Sequence, residues 1–134
     1  MRHRIYFLLF VGLFGCIGCG SEKSTNELIA DLSKGGEKER FVAVRSLTSR
    51  TGEVEKVLPA LIAALKDKED DIRLSAAIGL GVLGEQAKEA IPALQAALHD
   101  QDARIRRAAG VAINRIDPSQ AKLSTAKKPG RSKS

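Results

Sequence analysis

Between Ser24 and Ile116 the apolar residues return every three or four positions, the beat of an α-helix with one buried face. Ile72, Ala76, Leu80 and Leu83 line one face of a long helix, and Leu58, Leu61, Ile62 and Leu65 make the i, i+3, i+4, i+7 stripe of a shorter one. No stretch alternates with the period of two that a strand requires. The pattern predicts six helices, over about 24–34, 37–50, 56–66, 69–83, 89–99 and 102–116. Punctuation supports these ends. Ser24 and Glu27 have the spacing of a capping box. Gly35-Gly36 stops the first helix, Thr51-Gly52 and Gly84 are expected to end two long helices as C-terminal glycines, and Asp117-Pro118 stops the last. Pro59 and Pro92 are expected in first turns, where a missing N–H costs nothing.

The helices repeat. Val57-Leu58-Pro59-Ala60-Leu61 returns as Ala90-Ile91-Pro92-Ala93-Leu94, an offset of 33 residues. The same offset carries Ile72-Arg73 to Ile105-Arg106, Ala76 to Ala109, Leu80 to Ile113 and Leu83 to Ile116, and it carries Leu61 and Leu65 back to Leu28 and Leu32. Each unit is therefore a long helix and a short one that cannot bury its apolar face alone, so neighbours must stack. The first unit departs from the pattern: Glu39 stands at the Ile72/Ile105 position, Arg50 at the Leu83/Ile116 position and Lys34 at the Asp67/Asp100 position. A polar end-cap has this character, with Phe41 filling part of the lost volume. The last unit stops after its long helix, which predicts either self-association or a fraying end there. The fold expected is all-α, a short α-solenoid of about three stacked antiparallel helix pairs.

A period of this length also suits ankyrin and tetratricopeptide arrays. The chain lacks the Thr-Pro-Leu-His of the first, and Phe41 is the only aromatic residue available for the second. The run Asp67…Ile72-Arg73…Ala76-Ala77…Leu83-Gly84…Ile91-Pro92-Ala93-Leu94 resembles the short HEAT-like repeat of the phycobilisome lyase type. That resemblance covers about residues 24–117 and is specific for architecture, not for function. It implies that Asp67, Arg73, Asp100 and Arg106 form an Asp–Arg ladder between units. It also implies that the short helices line a shallow concave groove, with Ala60, Ala63, Ala93 and Ala96 in the middle and Glu27, Asp31, Lys66, Gln95 and His99 at the edges. Small side chains there would let a partner helix or extended segment approach closely. A solvated alanine face, explained by helix propensity alone, is the alternative.

The chemistry is sparse. His99-Asp100 resembles one His–acid pair of deoxyhypusine hydroxylase, a HEAT-repeat di-iron enzyme, but His99 is the only histidine after the leader and one histidine cannot assemble such a site. No motif marks a bilin site. Gly79-x-Gly81 lies inside a helix with no phosphate-loop context and is expected to serve close helix packing. No catalytic residue, metal site or cofactor is therefore expected. A lyase-type enzyme or subunit acting on a tetrapyrrole-like ligand stays as the alternative to a non-catalytic scaffold.

The first residues read as an address. Met1-Arg2-His3-Arg4 is a positive start and Ile5 to Leu13 an uninterrupted apolar run, the layout of a secretory signal. Apolar character continues to Cys19, which makes 15 residues, short of the roughly 20 that span a bilayer. Leu13-Phe14-Gly15-Cys16 resembles the bacterial lipobox at −3 and −1. Cys16-Ile17-Gly18-Cys19 matches at −1 alone but suits the signal length better. Both cysteines stay open as the lipidation site, with Cys16 favoured by the motif. An uncleaved signal anchor is the other reading of the leader. A redox Cys-x-x-Cys would need a folded context that a greasy leader does not offer. The expected arrangement is a leader at 1–20, a repeat domain at 21–117 and a basic tail at 118–134, exported and held by lipid on the extracytoplasmic or periplasmic face of a bacterial membrane.

Charge changes the picture once it is divided. The chain of 134 residues has 22 Lys plus Arg and 16 Asp plus Glu, a formal net charge of +6. Arg2 and Arg4, and the tail's Lys122, Lys127, Lys128, Arg131 and Lys133 against Asp117, supply all of it. The body is neutral and has one aromatic residue, so it offers neither the basic surface nor the stacking platforms of a nucleic-acid binder. The partner expected is a protein, with no nucleic acid. Contact of anionic polymers with the basic tail is a second alternative. A homodimer through the unpaired last helix also stays open.

Overall fold

The computed structural model describes residues 22–120. They form α1 (Thr25–Lys34), α2 (Glu37–Thr48), α3 (Val54–Ala64), α4 (Asp70–Leu83), α5 (Ile91–Ala97) and α6 (Ala103–Ile116). No strand occurs among the described residues. Cys16, Cys19 and the tail beyond Gln120 lie outside them. The long helices make one layer, with α4 packed between α2 and α6, and the short helices make the other, with α1 beneath α2, α3 beneath α4 and α5 beneath α6. This is an all-α short solenoid.

The repeat is visible in the core. Ala43, Ala76 and Ala109 occupy equivalent positions on the three long helices, and all are fully buried. Leu47, Leu80 and Ile113 are buried one turn further on, and Leu28, Leu61 and Leu94 of the short helices are buried with them. Alanine at one position and Leu or Ile at the next lets neighbouring helices approach while filling the space between them. The glycines inside α4 serve the same close approach. A Cβ on Gly81 would lie 3.2 Å from Ala112 Cα, and one on Gly79 would lie 2.8 Å from Thr48 Oγ1.

Local chemistry sets the ends. Ser24 Oγ accepts from Glu27 N at 3.3 Å while the Glu27 carboxylate accepts from Ser24 N at 2.7 Å, a complete capping box. Gly35 caps α1, its N–H donating to the Asp31 carbonyl at 2.8 Å, and a Cβ there would lie 2.5 Å from that oxygen. Gly84 closes α4 at φ +57°, a conformation that side-chain-bearing residues rarely adopt. Asp117, extended ahead of Pro118, closes α6.

Two expected ends are different. Gly52 is not the cap of α2, which stops at Thr48 with Ser49 and Arg50 turning the chain; Gly52 lies in the 3-10 turn Thr51–Glu53 and has no positive φ. Pro59 is not in a first turn, because α3 begins at Val54 and places it inside the helix. Pro92 is the second residue of α5, since the preceding chain, Gly84–Ala90, is 3-10 and kinked at Ala87.

The first unit seals its own end with polar groups. Arg50, at the position of Leu83 and Ile116, donates to the Lys23 carbonyl at 2.7 Å and to Thr25 Oγ1 at 3.4 Å. Thr25, itself buried, donates to Glu53 at 2.6 Å. Phe41 packs half-buried against the core, with the Arg45 guanidinium 5.6 Å from its ring centre. At the other end Leu98, equivalent to buried Leu32 and Leu65, is exposed.

Candidate functional site

Three surfaces hold the chemistry of the described residues. The first is a ladder along the turns. Arg73 Nε and Nη2 donate to the Asp100 carboxylate at 2.9 and 3.2 Å. Arg40 makes the same pair of bonds to Asp67, at 2.9 and 3.2 Å. Each acid lies 27 residues after its arginine and accepts a further bond from the backbone N–H two residues on, Glu69 for Asp67 and Asp102 for Asp100, both at 2.9 Å. Each arginine also donates to carbonyls of the turn before it: Arg40 to Gly35, Arg73 to Asp67 and Lys68, and Arg106 to Asp100 and Gln101. The ladder thus runs from a long helix to the turn after the next short helix. Arg73 bonds the backbone of Asp67 and the carboxylate of Asp100. Among the described residues Arg106 has carbonyl partners only.

These contacts set the ionisation of the pair. The Arg73 guanidinium, helped by the Asp102 N–H, holds the Asp100 carboxyl below its ordinary range against the opposing effect of burial. Asp100 in turn raises the already high value of Arg73. Arg40 was not among the residues singled out in the sequence. The signal for it was present, since it stands 33 residues before Arg73.

The second surface is the outer face of the short helices. Ala63, Lys66, Gln95, Ala96 and His99 are exposed there, and Ala60 and Ala93 are half-buried against the core. Glu27 and Asp31 have local duties. Glu27 completes the capping box, and Asp31 pairs with Lys23 at 2.6 Å. Among the described residues, no group of three or more His, Cys, Asp and Glu side chains is placed to hold a metal ion.

The third surface is the outer face of the long helices. Ile78 and Val82 on α4 and Val111 on α6 are about half exposed, although the opposite faces of both helices are buried. Two depressions meet at Ile78. One, between α2 and α4, is lined by Phe41, Arg45, Thr48, Asp71, Leu74 and Ser75; the other, between α4 and α6, by Gly81, Ala108, Val111 and Ala112 with Arg104, Arg107 and Arg115. Leu98 and Val111 continue the apolar surface round the free side of α6, where Gln95 also contributes. The signal was an excess of aliphatic residues, because Ile78 and Val82 are apolar but lie off the Ile72–Ala76–Leu80–Leu83 stripe.

Stacked antiparallel helix pairs with core and ladder positions repeating every 33 residues define an α-solenoid of repeated units. Residues 25–114 match the model of the HEAT repeats. The chain belongs to the HEAT-repeat family. Such repeats are commonly protein-interaction scaffolds, and the fold is typically non-catalytic. A comparison with curated proteins found no match.

Proposed function

We propose that this protein is a non-catalytic adaptor of the short, lyase-type HEAT class, carried as a bacterial lipoprotein on the outer side of a membrane. The observation that carries the adaptor reading is the ladder. Arg40–Asp67 and Arg73–Asp100 pin successive units to one another, so each layer presents its helices as a fixed row of side chains. A rigid row suits a macromolecular partner, since little ordering entropy is lost on binding. The lipidated leader adds effective concentration. A diacylated cysteine inserts at least two chains, enough for stable anchoring, and tethering raises the chance that even a weak surface is occupied. Among the described residues no helix is long and apolar enough to cross a membrane.

Two measurements test the reading. Cells fed a palmitate analogue should label the wild-type chain and should lose label in either Cys16→Ala or Cys19→Ala. An unlabelled wild type ends the lipoprotein proposal. A photo-crosslinking residue placed in turn at Ala63 and at Val111 should trap a protein adduct in intact membranes from at least one position. No adduct from either position overturns the adaptor reading.

A further inference from the structure

Resting on the adaptor reading, we propose that the groove between α4 and α6 is the docking site for an acidic, amphipathic peptide segment of the partner. The floor is apolar and closely drawn. Gly81 and Ala112 let the two helices nearly touch, so Ile78 and Val111 stand above the floor on either side, 50% and 47% exposed. Two aliphatic side chains held apart in this way leave a slot for a third.

The charge around the slot is one-signed. Helix α6 contains Arg104, Arg106, Arg107 and Arg115 and no acidic residue. Arg106 is occupied by carbonyls, and Arg104 by Asp102 at 2.7 Å and Asp71 at 3.2 Å. Among the described residues, Arg107 and Arg115 form no ion pair. They flank Val111 at i−4 and i+4, so all three lie on one stripe of the helix. The fold gains little from Arg107. Its side chain is exposed, in the second turn of the helix. A ligand with carboxylates spaced to meet Arg107 and Arg115, and an aliphatic residue between them, satisfies both features at once. An amphipathic acidic helix has that spacing, and guanidinium forks match carboxylates well. A bare polyanion would use the arginines but leave the apolar slot empty. A second copy of the chain, placed by a two-fold axis through α6, would set these arginines against themselves.

The test uses the full-length chain and a set of labelled synthetic helical peptides with Glu at i−4 and i+4 about a central Leu, so that all three share one face, each with a scrambled isomer of equal composition. Fluorescence anisotropy should show binding of an ordered peptide over its scrambled isomer. The double variant Arg107→Glu/Arg115→Glu, and separately Ile78→Ser/Val111→Ser, should each weaken it at least about tenfold with unchanged helical circular dichroism. The proposal is overturned if no ordered peptide binds, if a scrambled isomer or heparin binds as well as the ordered one, if both variants bind normally, or if light scattering shows self-association that Val111→Glu abolishes. Any of these results leaves the adaptor reading intact as long as membrane crosslinking from Ala63 still traps a protein.

Discussion

Replacing Asp100 with asparagine takes one charge from a well-covered rung of the ladder. The carboxylate accepts two bonds from Arg73 and one from Asp102 N, and the side chains of the pair are only 12% and 15% exposed. A hydrogen bond to a charged group contributes about 1.5–3 kcal/mol, whereas an exposed ion pair contributes about 0–1 kcal/mol. This pair lies between those limits. In the variant Arg73 is not stranded, because it keeps Asp70 and the carbonyls of Asp67 and Lys68. The cost is therefore about 2 kcal/mol near neutral pH. In a domain of this size that lowers Tm by roughly 10 °C in a thermal melt followed at the helical circular dichroism minimum. The effect depends on pH in one direction. The carboxyl of Asp100 is lowered in the folded state, mainly by Arg73, so the unfolded chain takes up its proton first as pH falls. The stabilisation is fully present above the unfolded carboxyl range, about pH 4, and disappears as pH drops through the folded value. The gap in Tm between wild type and Asp100→Asn should be constant from about pH 5 to 8 and should shrink below about pH 4. A variant melting within about 2 °C of wild type at neutral pH, or a gap that survives in acid, refutes the ladder as a stabilising device.

Other expectations are smaller experiments. Gly84→Ala should cost about 2 kcal/mol through backbone strain alone, since the added methyl meets nothing within 4 Å. Gly52→Ala, equally open but without a positive φ, should leave Tm unchanged or raise it slightly. Leu80→Ala, fully buried between the layers, should cost about 3 kcal/mol in a denaturant titration, with little change in m-value. Ile78→Ser should leave the melt within about 0.5 kcal/mol of wild type, because the side chain lies on the outer face.

Helices were legible in the sequence because their apolar stripes are strong and their ends carry chemistry. Ser24 with Glu27, Gly84 and Asp117-Pro118 act through local geometry alone, and local geometry is what a sequence encodes most directly. Gly52 and Pro59 were harder. Each has the residue type of an end, but where α2 stops and α3 starts depends on the Arg50–Thr25–Glu53 network, which joins residues about 25–28 apart in the chain. Arg40 was hidden for another reason. Its neighbour Glu39 breaks the repeat pattern at the Ile72 position, so the Ile-Arg pair that marks Arg73 and Arg106 is missing beside it. The long-helix face was obscured because a stripe assigns residues to inside or outside but does not bring α4 and α6 side by side. Ile78 and Val111 become one surface only when Gly81 meets Ala112.

The reach of Arg40 and Arg73 toward the acid of the following unit has a genetic corollary. An in-frame duplication of any 33-residue block from the middle of the array would bring its own arginine and its own acid. Every arginine of the block would still find an acid 27 residues further on, so a longer array would arise without compensating mutations elsewhere. Length in such a protein is a quantity that replication errors can adjust one module at a time.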